Sequence, residues 1–284
     1  MSDQQIKKPN PLANYFRQPK LYIKLPSQGR FYPEGALDKS EIDEYPVYAM
    51  TAKDELMLKT PDALMNGQAT TEVIKSCVPA IKNPWRMPSI DLDAVLIAIR
   101  IATYGENMEF TSTCPNCGHF NDLVFNLLGY LDQTHNFEYD NKIDIPPLTI
   151  YIRPYSYKEV TQTNIKTLQQ RKIIDIVNDN SITEEEKLEK FGESFVKLTQ
   201  LTVDVIAGCV EKIETPDGVV DDQILIKDFI ENSDKSTFNA INSRIVDLKE
   251  KIALKSQHTK CQECEHEYDI EITMDQANFF AVGS

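Results

Sequence analysis

Two short segments of this sequence share one pattern of cysteines, and this duplication constrains the fold more than any other feature. The first segment, residues 111–127, reads TSTCPNCGHFNDLVFNL, and the second, residues 257–274, reads QHTKCQECEHEYDIEITM. Each contains a Cys-x-x-Cys pair, a histidine shortly after it, and then a run in which apolar and polar residues alternate. Alternation with a period of two is typical of a strand with one buried face. We therefore predict two cysteine knuckles, each at the tip of a short β-hairpin.

The cysteine pairs predict one shared metal site. The pairs are Cys114 with Cys117 and Cys261 with Cys264. Zn²⁺ prefers four tetrahedral ligands, and this short spacing lets two thiolates point toward one ion. A compact ribbon has roughly 15–20 residues between its cysteine pairs, whereas 143 residues separate Cys117 from Cys261 here. We predict a structural Zn²⁺ with four cysteine ligands, in a zinc ribbon whose halves are separated by an inserted domain.

Other interpretations of the cysteine pairs stay open from sequence. Two disulfides are one alternative, although an intracellular chain rarely forms them. A redox motif is another, but neither pair lies in a thioredoxin-like βαβ pattern. The pairs could also be remnants of a lost site, or two half-sites that use His119 and His266. In the preferred interpretation both histidines lie outside the ligand set.

The charge balance and the distribution of apolar residues argue against several kinds of partner. The 284 residues include 44 acidic and 30 basic side chains, which gives a formal net charge of −14. A protein that binds nucleic acid needs a basic face for the phosphates. The N-terminal sequence lacks the apolar core of a signal peptide, and no run approaches the roughly 18 apolar residues of a membrane-spanning helix. We expect a globular cytoplasmic protein with no nucleic-acid or membrane partner.

The order of helices and strands predicts an α+β fold. Period-two runs predict strands near residues 21–25, 45–50, 108–113 and 148–154. Apolar residues at steps of three and four predict helices at 53–59, 70–78, 91–104, 156–178, 184–212, 222–232 and 236–254. We divide the chain into an extended arm at 1–20, a mixed α/β domain with the zinc ribbon at 21–154 and 255–284, and a mainly helical insertion at 155–254. The helices that precede the two knuckles are expected to hold them against each other.

One loop is a candidate site for a protein partner. The sequence LPSQGRFYP at 25–33 combines a turn at Gly29 with two aromatic residues, Phe31 and Tyr32. Glycine permits the positive φ that such turns use, and aromatic side chains often dominate protein interfaces. An ordinary hairpin explains the same residues equally well.

The sequence contains no recognisable catalytic arrangement. It has no Gly-rich phosphate loop, no HExxH motif, and no nucleophile and base at a familiar spacing. We therefore predict no catalytic residues, a non-enzymatic protein and no small-molecule substrate.

Three motifs together resemble one known family. LPSQGRFYP resembles the family's LPS-x-G-x-FYP opening, and MTAKDELML at 50–58 resembles the segment that follows it. IRIATYGENMEFTSTCPNCG at 99–118 resembles its R-x-x-x-YG lead into a Cys-x-x-Cys. On these motifs the chain is similar to the baseplate hub assembly proteins of T4-type contractile-tailed bacteriophages. The likeness is best over about 21–127, the second cysteine pair extends it toward the C-terminus, and the helical insertion carries no such motif.

The resemblance implies a function and a place. It implies a protein that helps to build the central part of the tail baseplate, is made in the host cytoplasm and binds other tail proteins. It leaves open whether the protein stays in the virion.

A zinc-ribbon regulator that binds nucleic acid or polymerase is the main alternative function. Acidic residues dominate near the knuckles, with Lys260 as the main cation: Asp122, Glu263, Glu265, Glu267 and Asp269. A ribbon that binds phosphates should have the opposite charge. A metal-dependent hydrolase is a weaker alternative, because it needs an open position on the metal, which four thiolates do not leave. We therefore expect a structural or assembly protein that acts through protein–protein contacts.

Overall fold

The computed structural model describes residues 11–12, 15–59, 67–135, 137–171, 183–253, 256–270 and 279–280. The fold class is α+β, as predicted. In chain order its elements are β1 Pro19–Ile23, β2 Tyr45–Tyr48, α1 Ala52–Leu58, α2 Gln68–Cys77, a 3-10 turn at Pro84–Arg86, α3 Ser89–Tyr104, β3 Asn107–Thr113, β4 Phe120–Asn126, α4 Leu128–His135, β5 Lys142–Ile145, β6 Leu148–Ile152, α5 Tyr157–Arg171, α6 Glu184–Cys209, β7 Val210–Thr215, β8 Gly218–Val220, α7 Gln223–Asn232, α8 Lys235–Ile252, β9 Gln257–Lys260 and β10 Glu267–Ile270.

The described residues form two hydrophobic clusters. Helix α3 lies at the centre of the first. Its residues from Ala94 to Ile99 are each no more than 1% exposed, so it is buried on all sides, as its continuous apolar sequence indicates. It packs against the antiparallel pair β1–β2 and against α2. The one cation in its apolar run, Arg100, is also buried; its guanidinium lies over the rings of Tyr104 and Phe279 and donates to the carbonyl of Phe279.

Part of the predicted N-terminal arm is attached to this cluster. Arg17 donates hydrogen bonds to the carbonyl oxygens of Ala49 and Ser76, and its guanidinium lies 3.6 Å from the buried carboxylate of Asp54. Strand β1 then begins at Pro19, within the predicted arm. Residues 1–10 and 13–14 of the arm lie outside the described residues.

A four-stranded antiparallel sheet organises the second cluster. Its strands lie in the order β5-β6-β7-β8, and a tight turn at Pro216 and Asp217 joins β7 to β8. Apolar residues of β6 and β7 pack against residues of α6, α7 and α8. Because β6 precedes and β7 follows the predicted domain boundary at 154, their pairing crosses that boundary. The division into a mixed domain and a helical insertion stays a prediction.

Helix α6 is shorter than predicted, and its apolar stripe is only partly buried. It ends at Cys209, three residues before the predicted end, because the chain continues as β7. Its N-terminus is stabilised by a capping box, in which the side chains of Thr183 and Glu186 each accept a hydrogen bond from the other residue's backbone N–H. The apolar stripe of its first half is exposed, however, with Leu188 75%, Phe191 54% and Phe195 65% exposed. This half extends past the second cluster, which α6 meets through its later residues Ile206 and Ala207. The predicted helix at 156–178 is observed to Arg171, and residues 172–182 lie outside the described residues.

Candidate metal centre

Two antiparallel hairpins carry the cysteine pairs, which confirms the predicted position of both knuckles. Strands β3 and β4 pair from Asn107 opposite Asn126 to Thr113 opposite Phe120. Strands β9 and β10 form the second, shorter hairpin. The cysteines occupy the two connecting loops, so each pair of thiols lies at a hairpin tip.

The two knuckles have the same backbone structure. In the first, the N–H of Cys114 donates to the carbonyl of His119 at 2.9 Å, and the N–H of Gly118 donates to the carbonyl of Cys114 at 3.0 Å. The second knuckle repeats both bonds at the equivalent positions, at 2.9 and 3.1 Å. The residue after the second cysteine has positive φ in both, 75° for Gly118 and 57° for Glu265. This tight loop turns both thiols of a pair toward the same point.

The four thiols form one cluster although the two pairs are far apart in sequence. The Sγ atoms of Cys114, Cys117, Cys261 and Cys264 all lie within 4.8 Å of one another. The distances from Cys114 to Cys264 and from Cys117 to Cys261 are both 3.7 Å. A disulfide requires about 2.05 Å. A tetrahedral ion with Zn–S bonds of about 2.3 Å places its sulfurs about 3.8 Å apart. The donor set and its spacing therefore fit a zinc ion, and all four cysteines are free of disulfides.

The thiols affect one another's protonation. Backbone N–H groups of Cys264 and Glu263 help to lower the pKa of Cys261 to about 6. The N–H of His119 acts in the same direction on Cys117, but hydrogen bonds with the other thiols raise the pKa of Cys117 to about 12. Cys117 therefore keeps its proton, and its hydrogen bonds to the sulfurs of Cys261 and Cys264 help to lower the pKa of both thiols.

Asn121 joins the two knuckles beside the thiols. It is fully buried on β4. Its side-chain oxygen accepts a hydrogen bond from the N–H of Gln262 at 2.8 Å. Its Nδ2 lies 3.1 Å from the hydroxyl of Tyr268 and 3.7 Å from the sulfur of Cys261. Asn121 and Tyr268 occupy equivalent positions, each seven residues after the first cysteine of its knuckle. Asn121 was not among the predicted site residues; the one sequence signal for it is a polar residue in phase with Leu123 and Phe125.

Histidines and charged residues near the four thiols lie outside the candidate ligand group. Among the described residues, the candidate ligand group contains the four cysteines and neither His119 nor His266. The ring of His266 stacks on Tyr268. On the second hairpin, His258 lies 2.9 Å from a carboxylate oxygen of Asp269, a hydrogen bond that raises the pKa of His258.

The candidate partner loop, residues 25–33, is held against the first hydrophobic cluster by one buried carboxylate. Asp91, in the first turn of α3, accepts hydrogen bonds from the N–H of Ser27 at 2.7 Å and from its hydroxyl at 2.6 Å. The hydroxyl of Tyr32 donates to the same carboxylate at 2.9 Å. Burial raises the pKa of Asp91 to about 6, although these hydrogen bonds act to lower it.

The three predicted partner-binding residues have different environments. Gly29 is buried with φ 68°, and a Cβ there would lie 3.4 Å from a methyl carbon of Leu37. Tyr32 points its hydroxyl inward to Asp91. Phe31 also has positive φ, 66°, and its half-buried ring meets Tyr139 edge to face at 5.1 Å. Phe31 and Tyr32 also line an open cleft. A role in partner binding stays a prediction for all three.

The fold and the site define an α+β protein in which two distant hairpins assemble one four-cysteine cluster. Within the part of the chain that the structure describes, no helix is long and apolar enough to span a bilayer. A family model described as T4 bacteriophage base plate protein matches residues 18–281. The chain therefore belongs to this baseplate family, as its sequence motifs indicated. No curated protein and no solved structure shows significant similarity to the chain.

Proposed function

We propose that this chain is a non-enzymatic protein of the baseplate hub, which helps to assemble the phage tail through contacts with other tail proteins. The match to the baseplate family over residues 18–281 carries this proposal. The net charge of −14 supports protein rather than nucleic-acid partners. The chain would act in the host cytoplasm while the baseplate is built.

A complementation experiment tests this role. Cells are infected with phage that lack the gene, with and without the chain supplied from a plasmid, and baseplates are counted by electron microscopy. We expect incomplete baseplates without the chain and normal ones when it is supplied. Normal tails in its absence would rule out a required role in assembly.

We further propose that Cys114, Cys117, Cys261 and Cys264 bind one structural Zn²⁺. The 3.7 Å distance between sulfurs of opposite knuckles is the observation that supports it, because it agrees with the edge of a zinc–thiolate tetrahedron. The metal would hold the β3–β4 hairpin against the β9–β10 hairpin. Structural zinc supplies about 10–16 kcal/mol of apparent binding free energy in small peptides. Even part of that is comparable with the total stability of a domain, about 5–15 kcal/mol.

Metal analysis of purified protein tests the shared site. The wild-type chain should contain one Zn²⁺, and serine in place of either cysteine pair should abolish stoichiometric binding, because neither knuckle alone offers four ligands. Replacement of Cys209, a buried cysteine outside the cluster, by alanine is the matched control and should leave the metal content unchanged. Half or full occupancy after loss of one pair would show that the knuckles bind separately.

We also propose that the loop at 25–33 contributes to a partner surface. Phe31 would provide the contact, while Gly29 and Tyr32 would hold the loop in shape, because the latter two face the protein interior. Phe31→Ala should then reduce baseplate assembly more than it reduces the melting temperature. Tyr32→Phe should do the reverse.

A further inference from the structure

An open cleft of about 690 Å³ lies between the two hydrophobic clusters. One wall is the loop at 30–33, in which Tyr32 packs against the first cluster and Phe31 against the second. The other walls come from Arg86 of the 3-10 turn, from Asn141 before β5, and from residues before and within α5. Its volume lies within the range of ligand-binding pockets, about 300–1,000 Å³.

The cleft gathers cations in a strongly acidic protein. Three of the seven arginines of the chain line it: Arg30, Arg86 and Arg153. Glu159 binds Arg153 with two hydrogen bonds, at 2.8 and 3.1 Å, and so neutralises it. The cleft also contains Glu211. The three arginines outnumber the two glutamates, so the cleft keeps a net positive charge, with Arg30 and Arg86 as the cations available to a ligand.

Arg30 and Arg86 are exposed, and neither forms an ion pair with any residue that the structure describes. The guanidinium of Arg30 lies 5.5 Å from the centre of the Phe31 ring, and its Nε contacts a backbone carbonyl at 3.4 Å. Positive φ at Phe31 is unusual for an aromatic residue, and such backbone strain is common at binding sites. The strained turn places a cation beside an aromatic ring on the wall of the cleft.

We propose that this cleft binds an acidic peptide segment of a baseplate partner, an inference that rests on the proposed role in assembly. Guanidinium groups bind carboxylates with two parallel hydrogen bonds, so Arg30 and Arg86 hold acidic side chains. The ring of Phe31 packs against the apolar part of the segment. The side-chain amide of Asn141 offers both a donor and an acceptor, which matches a peptide backbone, whereas a phosphate offers acceptors. Charge complementarity at the cleft allows the otherwise acidic chain to bind an acidic partner.

Peptide binding to the full-length protein tests the chemistry of the cleft. The probe is fluorescein-labelled hexaglutamate, with hexaglutamine as the neutral control, followed by fluorescence anisotropy. We expect the acidic peptide alone to bind. Arg30→Gln and Arg86→Gln should each weaken binding about tenfold, because each removes one charge-assisted contact. Lys53→Gln, which removes an exposed cation of α1 outside the cleft, should have no effect. Thermal melts of all three variants should match the wild type.

Three results of this titration would overturn the proposal. They are equal binding of both peptides, binding that the arginine variants leave unchanged, and no binding at millimolar peptide. Competition with inorganic phosphate separates the ligand classes. If phosphate displaces the peptide at concentrations at which chloride of equal ionic strength does not, the cleft is a phosphate site and the peptide proposal is wrong.

Complementation with charge-reversed variants separates this inference from the proposed function. Arg30→Glu with Arg86→Glu should reduce the number of complete baseplates, while Lys53→Glu should not. If the charge-reversed variant supports normal baseplate assembly, and baseplates fail to form when no chain is supplied, the cleft proposal is wrong and the assembly role stands. If tails form normally without any chain, the assembly role itself fails, whatever the cleft binds.

Discussion

Replacing Asp91 with asparagine should change how the stability of the protein depends on pH. The carboxyl group is fully buried and receives three hydrogen bonds from Ser27 and Tyr32. Burial disfavours its ionised form and raises its pKa from 3.8 to about 6. Asparagine has nearly the same size but does not ionise, so the substitution removes the titration and keeps the volume.

The sign of the effect follows from where the proton is held. Between pH 3.8 and about 6 the folded state keeps a proton on Asp91 that the unfolded state has released. The unfolding free energy of the wild type therefore falls as pH rises through this window, and this contribution is constant outside it. The full difference between the two pKa values corresponds to about 3 kcal/mol. Roughly 2.4 kcal/mol of it appears between pH 4 and pH 7.

Urea denaturation followed by circular dichroism at both pH values measures this effect. The Asp91→Asn variant should gain roughly 2.4 kcal/mol relative to the wild type on going from pH 4 to pH 7. The hydrogen bonds that the amide changes add a constant offset, and acid effects on the cysteine cluster cancel because both proteins retain it. Asp132→Asn, which removes an exposed carboxylate of α4, should run parallel to the wild type. If the unfolding free energy of Asp91→Asn changes with pH as that of the wild type does, the prediction is wrong.

Three further predictions concern the knuckles, the loop and the charge. Asn121→Ala should weaken metal affinity about 10- to 100-fold in a chelator competition, because residues that orient metal ligands have effects of this size; Asn126→Ala, an exposed change on the same strand, should not. Tyr32→Phe should lower stability by about 1–3 kcal/mol in urea melts, since Asp91 loses one buried donor. The chain should show no salt-sensitive DNA or RNA binding at micromolar concentration in anisotropy titrations, because its net charge is −14. Such binding would favour the alternative function, a zinc-ribbon regulator that binds nucleic acid or polymerase.

The features that the sequence predicted well are those whose signals are local. Each knuckle combines a cysteine pair with an alternating strand within 20 residues, and both hairpins formed as expected. The capping box at Thr183 is equally local, and it starts α6. Grouping the two pairs into one site required only that similar segments be compared, and the structure brings the four thiols together.

The features that the sequence missed depend on distant partners. Asn121 is recognisable as a clamp only beside Gln262 and Tyr268, which follow it by more than 140 residues. Strand β5 has four residues, too few for a clear period, and it forms by pairing with β6. The apolar residues at steps of three and four along α6 predicted a helix correctly. This spacing does not indicate which part of the helix packs against the core. The same holds for Phe31 and Tyr32, whose ring positions depend on Tyr139 and Asp91.

The separation of the two knuckles in sequence also determines when the cluster can form during synthesis. The first cysteine pair is complete at residue 117, and 143 residues separate it from Cys261. At about 5–20 residues per second, the ribosome needs roughly 7–29 s to make that stretch. During this time the first pair has no partner thiols from its own chain, while the sheet and most helices of the second cluster emerge. Closing the cluster is therefore a late step, because it requires that all the residues between Cys117 and Cys261 have been made.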